Sequence, residues 1–283
     1  MSTHDSPLPS LHDEYPLGVV EALQYRRDGH ILLRNVASQS EIGAYRPYVR
    51  EVVRETATRN DSQGRIEDYS SLFIQVTNVW RLNDQLRRFV FAQRFAGIAA
   101  MLMGVDAVRL YHDQALFKPA GGRATPWHQD QFYWPLDTRH TITMWMPLID
   151  LDEDMGTMFF ASGSHHDGPL VDRSISEESD AAFARVVQEK GFPVRSYVLN
   201  AGDATFHSGW TVHAAHPNTS GTQREVITVI YYADGARILE PDSEFRRVDM
   251  EVFHPGQKPG EVAASPLNPL LYQQPRSRGA DKG

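Results

Sequence analysis

The stretch TPWHQDQFYWP at residues 125–135 sets two metal-capable side chains, His128 and Asp130, two positions apart. On an extended segment, residues i and i+2 point to the same side, so both can reach one ion at ~2.0–2.2 Å. A second histidine from a later strand would complete a set of two imidazoles and one carboxylate. Such a set covers one face of an ion and leaves the opposite face open. Fe(II) oxygenases use this arrangement because cosubstrate, substrate and O2 need the free positions. An HxD pair alone arises by chance in many chains, so the later histidine carries the weight. Candidates downstream are His140, His165, His166, His207, His213, His216 and His254. His213 stands out because it lies in a strand-like run, WTVHAA, followed by the turn-like HPNTSGT and a second β-rich run, REVITVIYYA.

A hairpin centred between Asn218 and Thr219 would set His213 opposite Arg224. Directly opposed residues share a face, with Cβ atoms ~5 Å apart, so both would look into one cavity. A guanidinium matches a carboxylate bidentately and stays charged at any relevant pH. A small dicarboxylate could therefore chelate iron through a 2-oxo acid end and rest its other carboxylate on Arg224. The plainer alternative pairs Arg224 with an acidic residue at a strand edge; the register with His213 favours the ligand role.

The elements around these residues fall into two textures. Apolar spacing predicts helices over 17–28, stopped by Gly29, and from the Ser38/Glu41 capping box to about Thr58. A third helix is predicted over 84–103, ended by Gly104, with a short β-rich run at 30–36 and a polar loop at 60–71 between the helices. From 107 to 232 the chain breaks into short Val-, Ile-, Thr- and aromatic-rich runs separated by Gly, Pro, Asn and Asp. That pattern predicts an antiparallel sandwich or barrel. The expected organisation is a single domain over 1–283. It comprises a loose arm (1–16), a mostly helical flank (17–104), a β core (105–234) and a wrapping tail that loses order towards its end (235–283).

Composition narrows the function classes. With 41% hydrophobic and 23% charged residues, 283 residues can bury a sizeable core. A net charge of −8 without a basic stripe argues against nucleic acid or an anionic membrane as partner. There is no cysteine, which excludes disulfides, thiolate catalysis and zinc–sulfur sites. The polar start is no secretory signal, and no apolar run reaches the ~18 residues of a spanning helix. The expectation is a cytoplasmic protein acting on a small molecule. The sequence is silent on oligomeric state.

Together, YRRDGHILLRNV, the Lys118–Pro119 strand end, WHQDQFYWP, WMPLIDLDEDMGTMFFASGSH and GD…WTVHAAHPNTS…R make residues 18–235 resemble the phytanoyl-CoA dioxygenase family. The resemblance implies a mainly β fold with flanking helices, a double-stranded β-helix (jelly roll, cupin-like). It also implies Fe(II) on His128, Asp130 and His213, and 2-oxoglutarate on Arg224, eleven residues after the second histidine, with O2 as the other cosubstrate. Members oxidise unactivated C–H bonds by hydroxylation, and some antibiotic-pathway relatives close rings or invert stereocentres. Halogenating relatives replace the ligand Asp, and Asp130 is present. The lack of a basic patch for a CoA tail points to a bacterial natural-product substrate. His207 and His216 fit the family spacing less well than His213, and His165 and His166 fall where relatives carry a turn.

Weaker candidates surround this core. TITMWMPL alternates, placing Thr141, Thr143 and Trp145 on one face, and relatives line the cosubstrate pocket with the Trp equivalent to Trp145. Gln114 and Lys118 could approach the cosubstrate from the preceding strand, and Gln75 sits about where relatives place a polar contact. Gln129, Phe132, Tyr133 and Trp134 could wall an aromatic substrate site. Asp203 is expected to serve a turn, and the acidic run 150–156 to be a solvated turn rather than a Ca2+ loop. No catalytic group beyond the metal ligands is expected. Two rival readings remain open from sequence: a cupin-like metal isomerase or dioxygenase that does not use 2-oxoglutarate, and a non-catalytic binding module.

Overall fold

A computed structural model describes residues 7–62 and 74–275. Eight strands form two facing sheets: β3 (Ala107–Lys118), β4 (Thr125–His128), β5 (Thr141–Pro147), β6 (Met158–Ala161), β7 (Val194–Ser196), β8 (Ala204–Ser208), β9 (His213–Ala215) and β10 (Arg224–Ala233). The chain alternates between sheets except at β6 and β7, which pair with each other in the smaller one. Strands β8, β5, β10 and β3 lie side by side in the larger sheet, and β4, β9, β6 and β7 in the smaller one. This is the jelly-roll winding that the resemblance implied. The larger sheet is extended by β1 (His30–Leu33) beside β8, and by β2 (Ile74–Thr77) and β11 (Leu270–Gln273) on the free edge of β3.

The strand period of two explains the layering. On β5, Ile142, Met144 and Met146 face outward, with Phe206 of β8 and Ile227, Val229 and Tyr231 of β10. These bury against the helices α1 (Val19–Asp28), α2 (Gln39–Ser62), α3 (Asp84–Val90) and α4 (Gln93–Met103). Each such side chain contributes ~1.5–3 kcal/mol by leaving water. The alternate residues, Thr143, Trp145, His207, Thr228 and Ile230, face the smaller sheet and line the cavity between the layers.

The helix signals hold in detail. Gly29 ends α1 in the left-handed region (φ 77°). Before α2, Ser38 Oγ accepts from Glu41 N, while Glu41 Oε2 accepts from Ser38 N. The helix predicted over 84–103 is two helices, broken where Ala92 is extended (ψ 120°). Tertiary packing overrides the local pattern: α3 packs on α2, whereas α4 packs on α1, β11 and β5. The polar segment expected as a loop at 60–71 lies mostly outside the described residues, and α2 runs on to Ser62.

Three expectations need correcting. The start is not loose over its described part: Leu11 is buried, Tyr45 Oη donates to the Pro9 carbonyl (2.8 Å), and Asp13 pairs with Arg94. Beyond α5 (Glu177–Lys190), between β6 and β7, the tail contains structure as well, with α6 (Glu244–Phe253), capped by Ser243, and β11 paired to β3. The third correction bears on the site. No hairpin joins His213 to Arg224, because β9 pairs with β4 and β6, and β10 with β3 and β5. In a jelly roll, consecutive strands cross to the other sheet, so HPNTSGT spans the layers. His213 and Arg224 do line one cavity, but from facing sheets.

Candidate active site

Strand β4 runs antiparallel to β9 with His128 directly opposite His213, which brings the two rings to 4.1 Å between centroids. Gln129 is extended (φ −124°, ψ 123°), so Asp130 returns to the same side as His128. His128 Nε2 and His213 Nε2 lie 3.5 and 3.6 Å from Asp130 Oδ1. One donor atom from each residue falls within 4.8 Å of the others. These separations admit an ion bonded to all three at ~2.0–2.2 Å.

The donor chemistry also fits a metal. His128 Nδ1 bonds the Pro126 carbonyl (2.8 Å), and His213 Nδ1 bonds that of Thr211 (2.9 Å). A carbonyl only accepts, so each Nδ1 carries the proton and each Nε2 presents a bare lone pair to the centre. Burial, reinforced by His128, holds His213 well below the usual histidine range, which keeps it a neutral donor. Burial pushes the Asp130 carboxyl up, but the imidazoles gathered around it, His213 first and then His128 and His207, outweigh it and hold the group well below the usual carboxylate range. The second oxygen, Oδ2, is held by Thr143 Oγ1 (3.1 Å) and His207 Nε2 (3.3 Å).

Arg224 opens β10, 3% exposed and without an acidic partner among the described residues. Its Nη1 donates to the Gly156 carbonyl (2.5 Å), and its Cζ lies 5.3 Å from the Trp145 ring centroid. Nε is buried with no hydrogen-bond partner. Burial lowers the group to about 10, so it remains charged at neutral pH. A buried, unpaired guanidinium is costly unless an anion joins it. A dicarboxylate chelating the metal from this side would supply that anion, so the residues fit 2-oxoglutarate as well as iron.

A cavity of about 290 Å³ joins these groups. It brings together His128, Asp130, His213, Arg224 and Trp145 with Gln75, Gln114, Tyr133 and Trp134. Gln75 Nε2 donates to Gln114 Oε1 (2.8 Å). Three expected residues are not on its wall. Lys118 turns its ammonium to the carbonyls of Arg123 (2.9 Å) and His216 (3.1 Å), bracing the strand end rather than meeting a cosubstrate. Gln129 points away because it lies between two residues of opposite facing; it bonds the Gly168 and Trp210 carbonyls and Leu170 N. Phe132 sits in a 3-10 turn (Asp130–Phe132), where positions three apart eclipse. Tyr133 therefore joins Asp130 at the cavity, and Phe132 packs on Phe245 instead.

The other histidines divide as their surroundings dictate. His165 and His166 lie in a 3-10 turn and reach the Arg26 and Arg27 carbonyls. Asp203 serves its turn, accepting from Asn35 N and Asn200 N. Sequence reasoning missed His207 and Thr143 as the pair that holds Asp130, although Thr143 lay on the correctly read face of TITMWMPL. They stand opposite each other across β5 and β8. It also missed His112, Asp249 and Phe253 on the cavity wall.

The fold and site have counterparts among known proteins. A profile of the phytanoyl-CoA dioxygenase (PhyH) family matches residues 25–226. The ectoine dioxygenase of Streptomyces coelicolor (strain ATCC BAA-471 / A3(2) / M145) is 21% identical over 243 residues, covering 79% of this chain and 80% of its own length. The non-haem α-ketoglutarate-dependent carbocyclase SnoK from nogalamycin biosynthesis superposes with a TM-score of 0.73 at 25% identity, over 90% of this chain and 96% of its own. The epimerase SnoN in complex with Fe3+, α-ketoglutarate and nogalamycin RO gives 0.70 at 25% identity, over 89% and 97%. No helix among the described residues is long and apolar enough to cross a membrane. With a family profile spanning most of its length, the chain belongs to the phytanoyl-CoA dioxygenase family.

Proposed function

We propose that this protein is a non-haem Fe(II)- and 2-oxoglutarate-dependent oxygenase that oxidises an unactivated C–H bond of a small molecule in natural-product tailoring. The outcome would be hydroxylation, ring closure or epimerisation. One observation carries the reading: two bare imidazole nitrogens and a carboxylate converge on a cavity whose wall also holds a buried guanidinium without a counter-charge among the described residues. His128, Asp130 and His213 would hold the iron, and Arg224, stacked near Trp145, would hold the distal carboxylate of 2-oxoglutarate. Bound there, iron and 2-oxoglutarate supply the oxidising power, consuming O2 and releasing succinate and CO2.

The protein's own residues then have positional tasks. Thr143 and His207 hold one oxygen of Asp130, which would leave the other for the metal. The Pro126 and Thr211 carbonyls fix the tautomers of the two histidines. Tyr133 and Trp134 would flank the substrate and keep water from the reacting bond. The test is stoichiometric. Protein loaded anaerobically with Fe(II) and 2-oxoglutarate should yield succinate when O2 is admitted, and Asp130→Ala should not. Undiminished succinate formation by Asp130→Ala would overturn the assignment.

A further inference from the structure

The far wall of the cavity is built by the tail helix α6. Two residues on this helix, Asp249 and Phe253, line the cavity, while Val248 and Val252 are exposed. Opposite, β3 carries a bulge: Ile230 pairs with His112 and Tyr231 with Leu110, which leaves Tyr111 unpaired. A bulge re-aims side chains, and this one lets Tyr111 and His112 both reach α6. Tyr111 Oη donates to Asp249 Oδ2, and His112 stacks on Phe253 at 4.1 Å between centroids.

That leaves Asp249 Oδ1 without a hydrogen bond to any described residue, on the wall of the cavity. No described arginine or lysine pairs with Asp249. The nearby Arg246 is turned to Asp242 (2.9 Å) and to the Phe132 carbonyl (3.1 Å). Among the described residues, Asp130 and Asp249 are the acidic groups on the cavity wall, and Asp130 is already engaged by three histidines. Burial pushes the Asp249 carboxyl up to about 7, against the lowering effect of the Tyr111 hydroxyl. Around it stand aromatic faces, with Trp134 and Phe253 each packed on Tyr111 at 5.2 and 5.5 Å. A carboxylate set among aromatic rings is the chemistry that selects a small organic cation.

We propose that Asp249 is the specificity-determining residue of this site, and that the substrate is a small molecule with a basic nitrogen. Its ammonium sits on Asp249 Oδ1 between Trp134, Tyr133 and Phe253, at the end of the cavity away from Arg224. The proposal rests on the oxygenase reading of the same cavity. It also limits size, because about 290 Å³ lies at the lower edge of ligand pockets and the cosubstrate must share it.

The experiment is anaerobic calorimetric titration of the full chain loaded with Fe(II) and 2-oxoglutarate. The probes are small cyclic and acyclic amino acids and diamines, each beside its N-acetyl counterpart, which keeps the skeleton and removes the charge. The best ammonium probe should bind at least ~10-fold more tightly than its N-acetyl form, the range of a hydrogen bond to a charged group. Asp249→Asn should bring the two within ~2-fold, and Asp249→Glu should restore part of the preference. Glu251→Gln, which removes a solvent-facing carboxylate from the same helix, should leave the preference intact. Wild type without an ammonium preference, or Asp249→Asn retaining one, would overturn the proposal. Failure of the oxygenase reading would appear elsewhere: the ammonium preference would persist while O2 yielded no succinate.

Discussion

Replacing Arg224 with methionine should make the empty protein more stable while abolishing its hold on 2-oxoglutarate. The guanidinium is buried, and burial lowers it from 12.5 to about 10. That shift corresponds to a cost of about 3 kcal/mol for keeping the charge in the fold at neutral pH. The sign follows from linkage: a base whose folded pKa is depressed is protonated more readily when unfolded, so below pH 10 the charge favours unfolding. Methionine removes that cost at similar length, and loses one hydrogen bond from a charged group to the Gly156 carbonyl, worth about 1.5–3 kcal/mol. A net gain of up to about 1.5 kcal/mol, a rise of at most a few degrees in Tm, is the expected result. The bound state should respond in the opposite direction. Truncating one partner of a buried, hydrogen-bonded charge pair costs about 2–5 kcal/mol, a ~30- to several-thousand-fold loss of 2-oxoglutarate affinity. Thermal melts with and without Fe(II) and 2-oxoglutarate read both effects: at ~100 times the wild-type Kd the ligand adds about 2.7 kcal/mol to wild type and should add less than about 1 kcal/mol to the variant. Arg224→Met that binds 2-oxoglutarate within ~5-fold of wild type, or melts far below it when empty, would refute the reasoning.

Three further outcomes follow from the same geometry. His207→Phe keeps the ring volume but removes the donor to Asp130 Oδ2, and iron affinity should fall ~10–100-fold as read by anaerobic Fe(II) titration. Lys118 is fully buried and burial lowers its ammonium to about 7, followed by the effect of Arg224. Between about pH 7 and 10.5 the unfolded chain therefore binds a proton the folded one does not, so stability should rise with pH by at most ~1.4 kcal/mol per unit, and Lys118→Met should flatten that part of a urea-denaturation series. Asp130→Ala should release no succinate above a no-enzyme control under conditions where wild type does.

What the sequence revealed was local, and what it hid was topological. The period of two placed His128 with Asp130 and Thr143 with Trp145, because side-chain facing along one strand is a property of that strand. The same rule, carried one step further, excludes Gln129 from the cavity that its neighbours face. Strand partnership is different. WTVHAA, a turn and REVITVIYYA read as a hairpin, yet His213 pairs with His128 and Phe160, and Arg224 with Lys118. Nothing local distinguishes a turn that folds back from one that crosses between sheets. His207 was underrated for the same cause, since its role depends on lying opposite Thr143 in a partner strand 64 residues away. Asp249 was hidden by its helix. SEFRRVDMEVF has apolar residues at helical spacing, but Phe245, Val248 and Val252 face solvent while the carboxylate lines the cavity, which inverts the usual amphipathic expectation.

The most direct test of the metal centre is a crystal of the Fe(II)- and 2-oxoglutarate-loaded protein, grown without O2 and measured on both sides of the iron absorption edge. A single anomalous peak should lie ~2.0–2.2 Å from Nε2 of His128, Nε2 of His213 and one Asp130 oxygen. The 2-oxoglutarate should extend from it to Arg224. A peak ligated by His207 in place of His213, or lying outside this cavity, would contradict the assignment.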